Sequence, residues 1–176
     1  MGRVSFPVII GNPRPRSRTA TAALAAARAV AEAAGLSAVP ETTDLSELGP
    51  DLLRSDPGPD VAAALDRVAA ADLLLIASPT YKGTYTGLLK TFLDRLPGGA
   101  LTGKVALPLL VLGAPQHALA VEVHLRPLLV ELGATVPTPG LALLEQDLDR
   151  LDSVVTEWAG RVAPAVRGAL PAGVSR

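Results

Sequence analysis

Arginine and hydroxyl side chains cluster in a short segment near the start of the chain, directly after the apolar run Val4 to Ile10. This segment, the arginine loop (residues 11–19), reads Gly-Asn-Pro-Arg-Pro-Arg-Ser-Arg-Thr, and an alanine-rich stretch of helix formers follows it. Ser17 or Thr19 is a natural N-cap for that helix. Helix N–H groups, hydroxyls and guanidinium groups therefore converge here, which is the chemistry of a phosphate-binding site.

A plainer interpretation also fits the arginine loop. In it, Ser17 or Thr19 only caps the helix, and the arginines only solvate the surface. The distribution of charge argues against this, because residues 1–31 contain five arginines and no acidic residue, whereas the whole chain has a formal net charge of −1. A local excess of cations in a nearly neutral chain favours an anionic ligand.

Two further polar loops each follow an apolar run of strand length. The tyrosine loop (residues 78–86) follows the run 72–79, and the glycine loop (residues 113–117) follows the run Val105 to Leu112. Such continuous runs indicate strands buried on both faces, as in a parallel sheet. Ligands of open parallel sheets bind outside the carboxyl ends of the strands, so these three loops are the predicted site.

Most catalytic and nucleotide-binding motifs are missing from the sequence. It has no G-x-G-x-x-G, G-x-S-x-G or H-E-x-x-H motif. A partial P-loop at residues 98–104 is followed by Val105 instead of Ser or Thr, and it joins a predicted helix to a strand, so we interpret it as a connection. His117 and His124 lack a third metal ligand, and we find no acid/base pair of carboxylates. We expect no catalytic side chain and no metal site.

The elements that must position these loops alternate along the chain. Apolar runs predict strands at residues 4–10, 37–43, 72–79, 105–112 and 135–144. Spacing and composition predict helices at about residues 19–34, 61–71, 88–96, 117–132 and 148–169. This alternation indicates a doubly wound α/β sheet with right-handed crossovers. Residues 1–170 form one predicted domain, and residues 171–176 form a C-terminal tail.

Composition excludes several other classes of protein. Of the 176 residues 3% are aromatic and none is cysteine, which excludes disulfides, thiolate zinc sites and a base-stacking surface. The pI near 6.1 argues against nucleic-acid binding. The longest uncharged run, Val105 to Val121, is interrupted by prolines and a glycine, and the N-terminus lacks a signal-peptide pattern. We expect a cytoplasmic protein with no membrane or nucleic-acid partner.

Taken together, the three loops resemble one family. The arginine loop resembles the G-S-x-R-x-x-S phosphate loop of NAD(P)H-dependent FMN reductases, and residues 79–94 resemble their signature P-x-Y-x-x-x-x-x-G-x-L-K-x-x-x-D. Residues 101–113 and 117–127 resemble the subgroup that serves two-component alkanesulfonate monooxygenases. The resemblance implies a flavodoxin-like three-layer sandwich, with a five-stranded parallel sheet in the order 2-1-3-4-5 and helices on both faces.

The resemblance also implies which residues hold FMN. The phosphate would contact Arg14, Ser17 and Thr19, with Asn12 standing where the family usually has serine. The isoalloxazine ring would lie between two sets of residues: Pro79, Thr80, Tyr81 and Lys82 on one side, and Gly113, Ala114, Gln116 and His117 on the other. In the helix after the fourth strand, Val123 replaces a tyrosine of the alkanesulfonate subgroup, which leaves open whether FMN is released or retained.

The activity implied is that of an NAD(P)H:FMN oxidoreductase, which transfers hydride from NADPH or NADH to flavin N5. Reduced FMN would pass to a partner monooxygenase, and the protein would be a homodimer or homotetramer. Three alternatives remain, of which only the first shares every motif. They are an FMN-retaining reductase of quinones, azo dyes or oxyanions, a non-enzymatic flavodoxin-like electron carrier, and an interaction protein that has lost its flavin.

Overall fold

A five-stranded parallel sheet forms the middle layer of the protein, whose computed structural model describes residues 3–171. The strands are β1 (Pro7–Ile10), β2 (Glu41–Asp44), β3 (Leu73–Pro79), β4 (Val105–Leu112) and β5 (Leu141–Leu144). They lie in the order β2-β1-β3-β4-β5, and every neighbouring pair is parallel. The predicted sheet order is confirmed.

Helices cover both faces of this sheet. They are α1 (Arg18–Ala33), α2 (Pro59–Ala69), α3 (Gly87–Leu93), α4 (Arg126–Glu131) and α5 (Leu151–Ala169). One face carries α1 and α5, and the other carries α2, α3 and α4. This is the predicted flavodoxin-like three-layer sandwich. None of the described helices is both long and apolar enough to cross a membrane.

The central strands hold both helical layers because their side chains alternate between the faces of the sheet. Leu73 and Leu75 of β3 belong to the core with α1 and α5, while Leu74 and Ile76 belong to the core with α2 and α3. Every residue of β3 and β4 is buried. Continuous apolar runs were therefore the correct signal for the two strands that carry the tyrosine and glycine loops.

Prolines move the ends of two strands away from their predicted positions. β1 begins at Pro7 rather than residue 4. Proline cannot donate to the ladder inside a central strand but is tolerated as its first residue, so the strand starts there. β5 begins at Leu141 rather than residue 135. Thr135 makes an isolated bridge to β4, but residues 136–140, which include two prolines, leave the sheet. β2 also lies further along than predicted, beginning at Glu41 rather than residue 37.

The predicted helix over residues 117–132 is wrong in its first half. Pro115–His117 forms a 3-10 turn, Val121–Leu125 forms a π-helical turn, and α4 begins only at Arg126. Pro127 explains the irregularity, since it cannot donate to the carbonyl four residues earlier and its ring would clash with that carbonyl in an α-helix. A wider π-helical turn relieves the conflict.

The ion pair between Glu122 and Arg126 connects the π-helical turn to the segment before β5 through hydrogen bonds that both side chains make with that segment. Glu122 accepts from Arg126 Nε at 2.5 Å and from Gly140 N at 2.6 Å, and Arg126 also donates to the carbonyls of Val136 and Thr138. Partial burial raises the pKa of Glu122. The hydrogen bonds from Arg126 and Gly140, together with the charge of Arg126, outweigh that effect, so the pKa of Glu122 lies below its ordinary value.

α2 spans Pro59–Ala69 rather than residues 61–71, and α3 spans Gly87–Leu93 rather than residues 88–96. Short 3-10 helices account for other differences. One, Glu145–Arg150, occupies the predicted first turn of α5, and two others, Leu45–Glu47 and Gly49–Leu53, lie in the segment between β2 and α2. Residues 98–104 connect α3 to β4, as predicted for the partial P-loop. Of the predicted C-terminal tail, residues 172–176 lie outside the described residues.

Candidate functional site

The arginine loop leaves the sheet at the end of β1 and enters the first turn of α1. Ser17 is the N-cap, and its Oγ accepts a hydrogen bond from Ala20 N at 3.2 Å. The other N–H groups at the start of a helix have no partner within the helix and carry partial positive charge. The first turn of α1 contains no acidic residue, so this helix end favours an external anion.

The buried side chain of Asn12 stabilises the arginine loop by two hydrogen bonds. Its Nδ2 donates to Thr19 Oγ1 at 3.0 Å, and its Oδ1 accepts from Arg14 N at 2.9 Å. Asn12 and Thr19 are both buried. The amide group of Asn12 is therefore engaged within the protein and ties the turn at Arg14 to the start of α1.

The arginine loop carries three exposed arginines, Arg14, Arg16 and Arg18. Arg16 has a φ of 51°, in the left-handed region that few non-glycine residues adopt. Arg18 Nη2 lies 3.0 Å from Oε2 of Glu145, which follows β5. Sequence reasoning missed Glu145, because no motif marks it and the contact exists only once β5 lies in the same sheet as β1.

The tyrosine loop turns sharply after β3. Tyr81 N donates to Thr84 O at 2.8 Å, and Thr84 N donates to Tyr81 O at 3.3 Å. Lys82 and Gly83 between them have φ values of 54° and 85°, as a type I′ turn requires. The turn leaves Tyr81 42% exposed, and its side chain borders the arginine loop.

Two buried hydroxyls that sequence reasoning missed join the arginine and tyrosine loops. Thr86 Oγ1 donates to Gly11 O at 2.5 Å and, as the N-cap of α3, accepts from Leu89 N at 3.2 Å. Ser78 Oγ accepts from Thr86 N at 3.0 Å and donates to Pro79 O at 2.8 Å. These hydrogen bonds fix the end of β1 against the end of β3. The one available signal was the threonine before Gly87, a residue type that commonly caps helices.

The glycine loop leaves the sheet beside the tyrosine loop, because Thr80 N donates to Val111 O at 2.8 Å. Gly113 is exposed, and a side chain at this position would meet no atom within 4 Å. His117 N donates to Ala114 O at 3.2 Å and closes the short 3-10 turn. The backbone at Gly113 is therefore accessible to a ligand that approaches from outside.

A cavity of about 580 Å³ lies between the arginine and tyrosine loops. Half of the predicted site residues line it: Asn12, Arg14, Ser17, Thr19, Pro79 and Tyr81. The other half follow β3 and β4 at the same end of the sheet without lining the cavity: Thr80, Lys82, Gly113, Ala114, Gln116 and His117. Arg16, Arg18 and Glu145 complete the charged part of its wall.

The lining suits a ligand that carries a phosphate group. Guanidinium groups, hydroxyls and a helix N-terminus face one cavity, and these are the donors that phosphates use in proteins. Among residues 3–171 no group of three or more His, Cys, Asp or Glu side chains could hold a metal ion. The donor set therefore fits an anionic nucleotide, and the tyrosine loop next to it could contact a flat ring.

The sheet order and the position of this site define a class of protein. A phosphate-binding helix start after the first strand, at a point where the strand order reverses, is characteristic of flavodoxin-like nucleotide-binding proteins. Within that class, residues 5–149 match the family described as NADPH-dependent FMN reductase, and the chain belongs to this family.

Individual relatives agree with this assignment. The chain is 36% identical over 136 residues to an FMN reductase (NADPH) of Pseudomonas aeruginosa, covering 77% of this chain and 73% of the relative. It is 32% identical over 124 residues to the NADH-dependent FMN reductase SfnF of Pseudomonas fluorescens, covering 70% and 66%. The apo crystal structure of an NADH:FMN oxidoreductase (EMOB) is similar with a TM-score of 0.85 and 33% identity, covering 97% of this chain and 92% of that one.

Proposed function

We propose that the protein binds FMN in the cavity between the arginine and tyrosine loops and reduces it with hydride from NADPH or NADH. Membership of the family and the relatives named above support the reaction and both nicotinamides. The observation that carries the location is the arginine loop, where a helix N-terminus, two hydroxyls and three guanidinium groups border one cavity.

The phosphate of FMN suits the start of α1. A phosphate monoester carries a charge of about −1.5 to −2 at neutral pH, and the first turn of α1 has no acidic residue of its own. Ser17, Thr19 and Arg14 would hold the phosphate, with Asn12 supporting the turn behind them. The same end of α1 would add free N–H donors.

The isoalloxazine ring would lie against the tyrosine loop. When bound, FMN supplies the hydride acceptor, so the chain contributes binding and orientation rather than an acid or base. Tyr81 borders the cavity, and the open space at Gly113 lets a flat ring approach the backbone closely. The other ring contacts we propose are Pro79, Thr80, Lys82, Ala114, Gln116 and His117.

We further propose that reduced FMN leaves for a flavin-dependent monooxygenase, and that the protein works in the cytoplasm as a homodimer or homotetramer. The resemblance of residues 101–127 to reductases of alkanesulfonate systems supports the monooxygenase. Leu119, Val123 and Val130 are 70%, 56% and 53% exposed around the π-helical turn and α4. Such exposed apolar side chains support a subunit interface there.

Steady-state oxidation of NADPH and of NADH by the purified protein, at varied FMN, tests the reaction. We expect a rate that rises with FMN and saturates. A rate no higher than that of nicotinamide and FMN without protein would refute the reductase. A protein that is yellow as purified, and whose rate with a second acceptor is independent of added FMN, would instead show that FMN is retained.

A further inference from the structure

Glu145 is the only acidic residue among the described residues that line the cavity. It begins the 3-10 helix after β5, and its Oε2 lies 3.0 Å from Arg18 Nη2. The loop after β5 thus places a carboxylate against the first turn of α1, which has no acidic residue of its own. This carboxylate offsets positive charge of Arg18 that a phosphate bound in the cavity would otherwise meet.

We propose that Glu145 limits the affinity of the protein for FMN, so that FMN exchanges as a substrate. This inference rests on the proposed function, because it concerns the same cavity. Glu145 offsets the charge of Arg18, one of the three arginines that line the cavity, and adds a charge of the same sign as the phosphate. Both effects lower the affinity for an anion at this end of α1.

The ion pair is poorly suited to a structural role. The side chains of Arg18 and Glu145 are 67% and 47% exposed, and ion pairs this accessible to water contribute little to stability. The same exposure keeps the effect on FMN moderate and makes it sensitive to ionic strength. A contrary role would be for Glu145 to orient Arg18 toward the phosphate. That role predicts the opposite sign when the carboxylate is removed.

The test is the dissociation constant of FMN, measured by quenching of flavin fluorescence in low-salt buffer, for the wild type and for Glu145→Gln. Glutamine keeps the size of glutamate and one accepting oxygen but removes its charge. The matched control is Glu157→Gln, because Glu157 also pairs with an arginine, Arg161, at 2.9 Å, but lies on α5 and does not line the cavity.

We expect Glu145→Gln to bind FMN about two- to tenfold more tightly than the wild type, with the difference shrinking in high salt. Glu157→Gln should bind like the wild type. Unchanged or weaker binding by Glu145→Gln would overturn the inference, as would equal tightening by both variants. The proposed function fails separately, if the wild type does not quench FMN fluorescence at all. Glu145→Ala should also bind FMN more tightly than the wild type. That result would show that the effect does not depend on the glutamine side chain.

Discussion

Thr86→Val would show how strongly the hydrogen bond between the arginine and tyrosine loops holds the site together. Valine has nearly the shape of threonine but lacks its hydroxyl. The substitution therefore removes the bond to Gly11 O at 2.5 Å and the cap on Leu89 N at 3.2 Å without opening a cavity. Thr86 is only 3% exposed, so water cannot take the place of the missing hydroxyl.

Two effects set the magnitude of this change. Loss of the helix N-cap costs about 1 kcal/mol. The Gly11 carbonyl loses its short, buried hydrogen bond, which costs about 1 to 2 kcal/mol. Ser78 Oγ lies 3.5 Å from the same oxygen and limits this second effect. We expect the free energy of unfolding to fall by about 2 to 3 kcal/mol.

Urea unfolding of the wild type, Thr86→Val and Thr86→Ser measures this difference. Serine keeps the hydroxyl, so Thr86→Ser should retain most of the stability and bind FMN nearly as well as the wild type. Thr86→Val should also bind FMN more weakly, because Gly11 begins the arginine loop. A Thr86→Val protein within about 0.5 kcal/mol of the wild type would refute the reasoning, since ordinary surface changes have effects of that size.

Three further substitutions test other parts of the structure. Ser17→Ala removes the N-cap of α1 and a proposed phosphate ligand, so we expect unfolding to cost about 1 kcal/mol less and FMN to bind about tenfold more weakly. Ser55→Ala, an exposed position away from the cavity, is its control, and equal FMN binding by both variants would contradict the proposed phosphate site. Gly11→Ala should destabilise the protein by about 1 to 3 kcal/mol in urea unfolding, because its Cβ would lie 2.5 Å from Leu89 Cβ; wild-type stability would refute this close contact. Because the pKa of Glu122 is lowered in the folded protein, its stabilising effect is complete above the ordinary value of 4.5 and is lost as pH falls through the lower folded value. Glu122→Gln should therefore unfold about 1 to 2 kcal/mol more easily at neutral pH, and a difference from the wild type that persists in strong acid would contradict this assignment.

The elements that the sequence predicted well are those governed by local patterns. β4 has the bounds expected from its apolar run. A strand buried on both faces is almost entirely apolar, so the first and last residues of the run mark its ends. The start of α1 was predicted closely, because Ser17, one of the two N-cap candidates, is the N-cap in the structure. The half of the predicted site that lines the cavity belongs to the arginine loop, which leads into α1, and to the tyrosine loop, which follows the apolar run of β3.

The predictions failed where distant parts of the chain or backbone irregularities decide the structure. The segment after β4 contains good helix formers, yet Pro127 causes residues Val121–Leu125 to form a π-helical turn instead of an α-helix. β5 was predicted too long, because the pattern of residues 135–144 does not reveal that only Thr135 and Leu141–Leu144 pair with β4. Helical and strand propensities describe neighbours in sequence, and tertiary contacts override them.

The sequence by itself determined the order of strands and helices, the family, and the position of an arginine-rich loop at the end of the first strand, where we propose that the phosphate binds. These follow from side-chain periodicity, helix capping and two local motifs, all of which depend on residues close together in the chain. Only the tertiary structure decided that Thr86 ties the ends of β1 and β3 together and that Glu145 lies against Arg18. Both contacts join residues far apart in the chain. They form because the parallel sheet places the carboxyl ends of β1, β3 and β5 at the same end of the sheet.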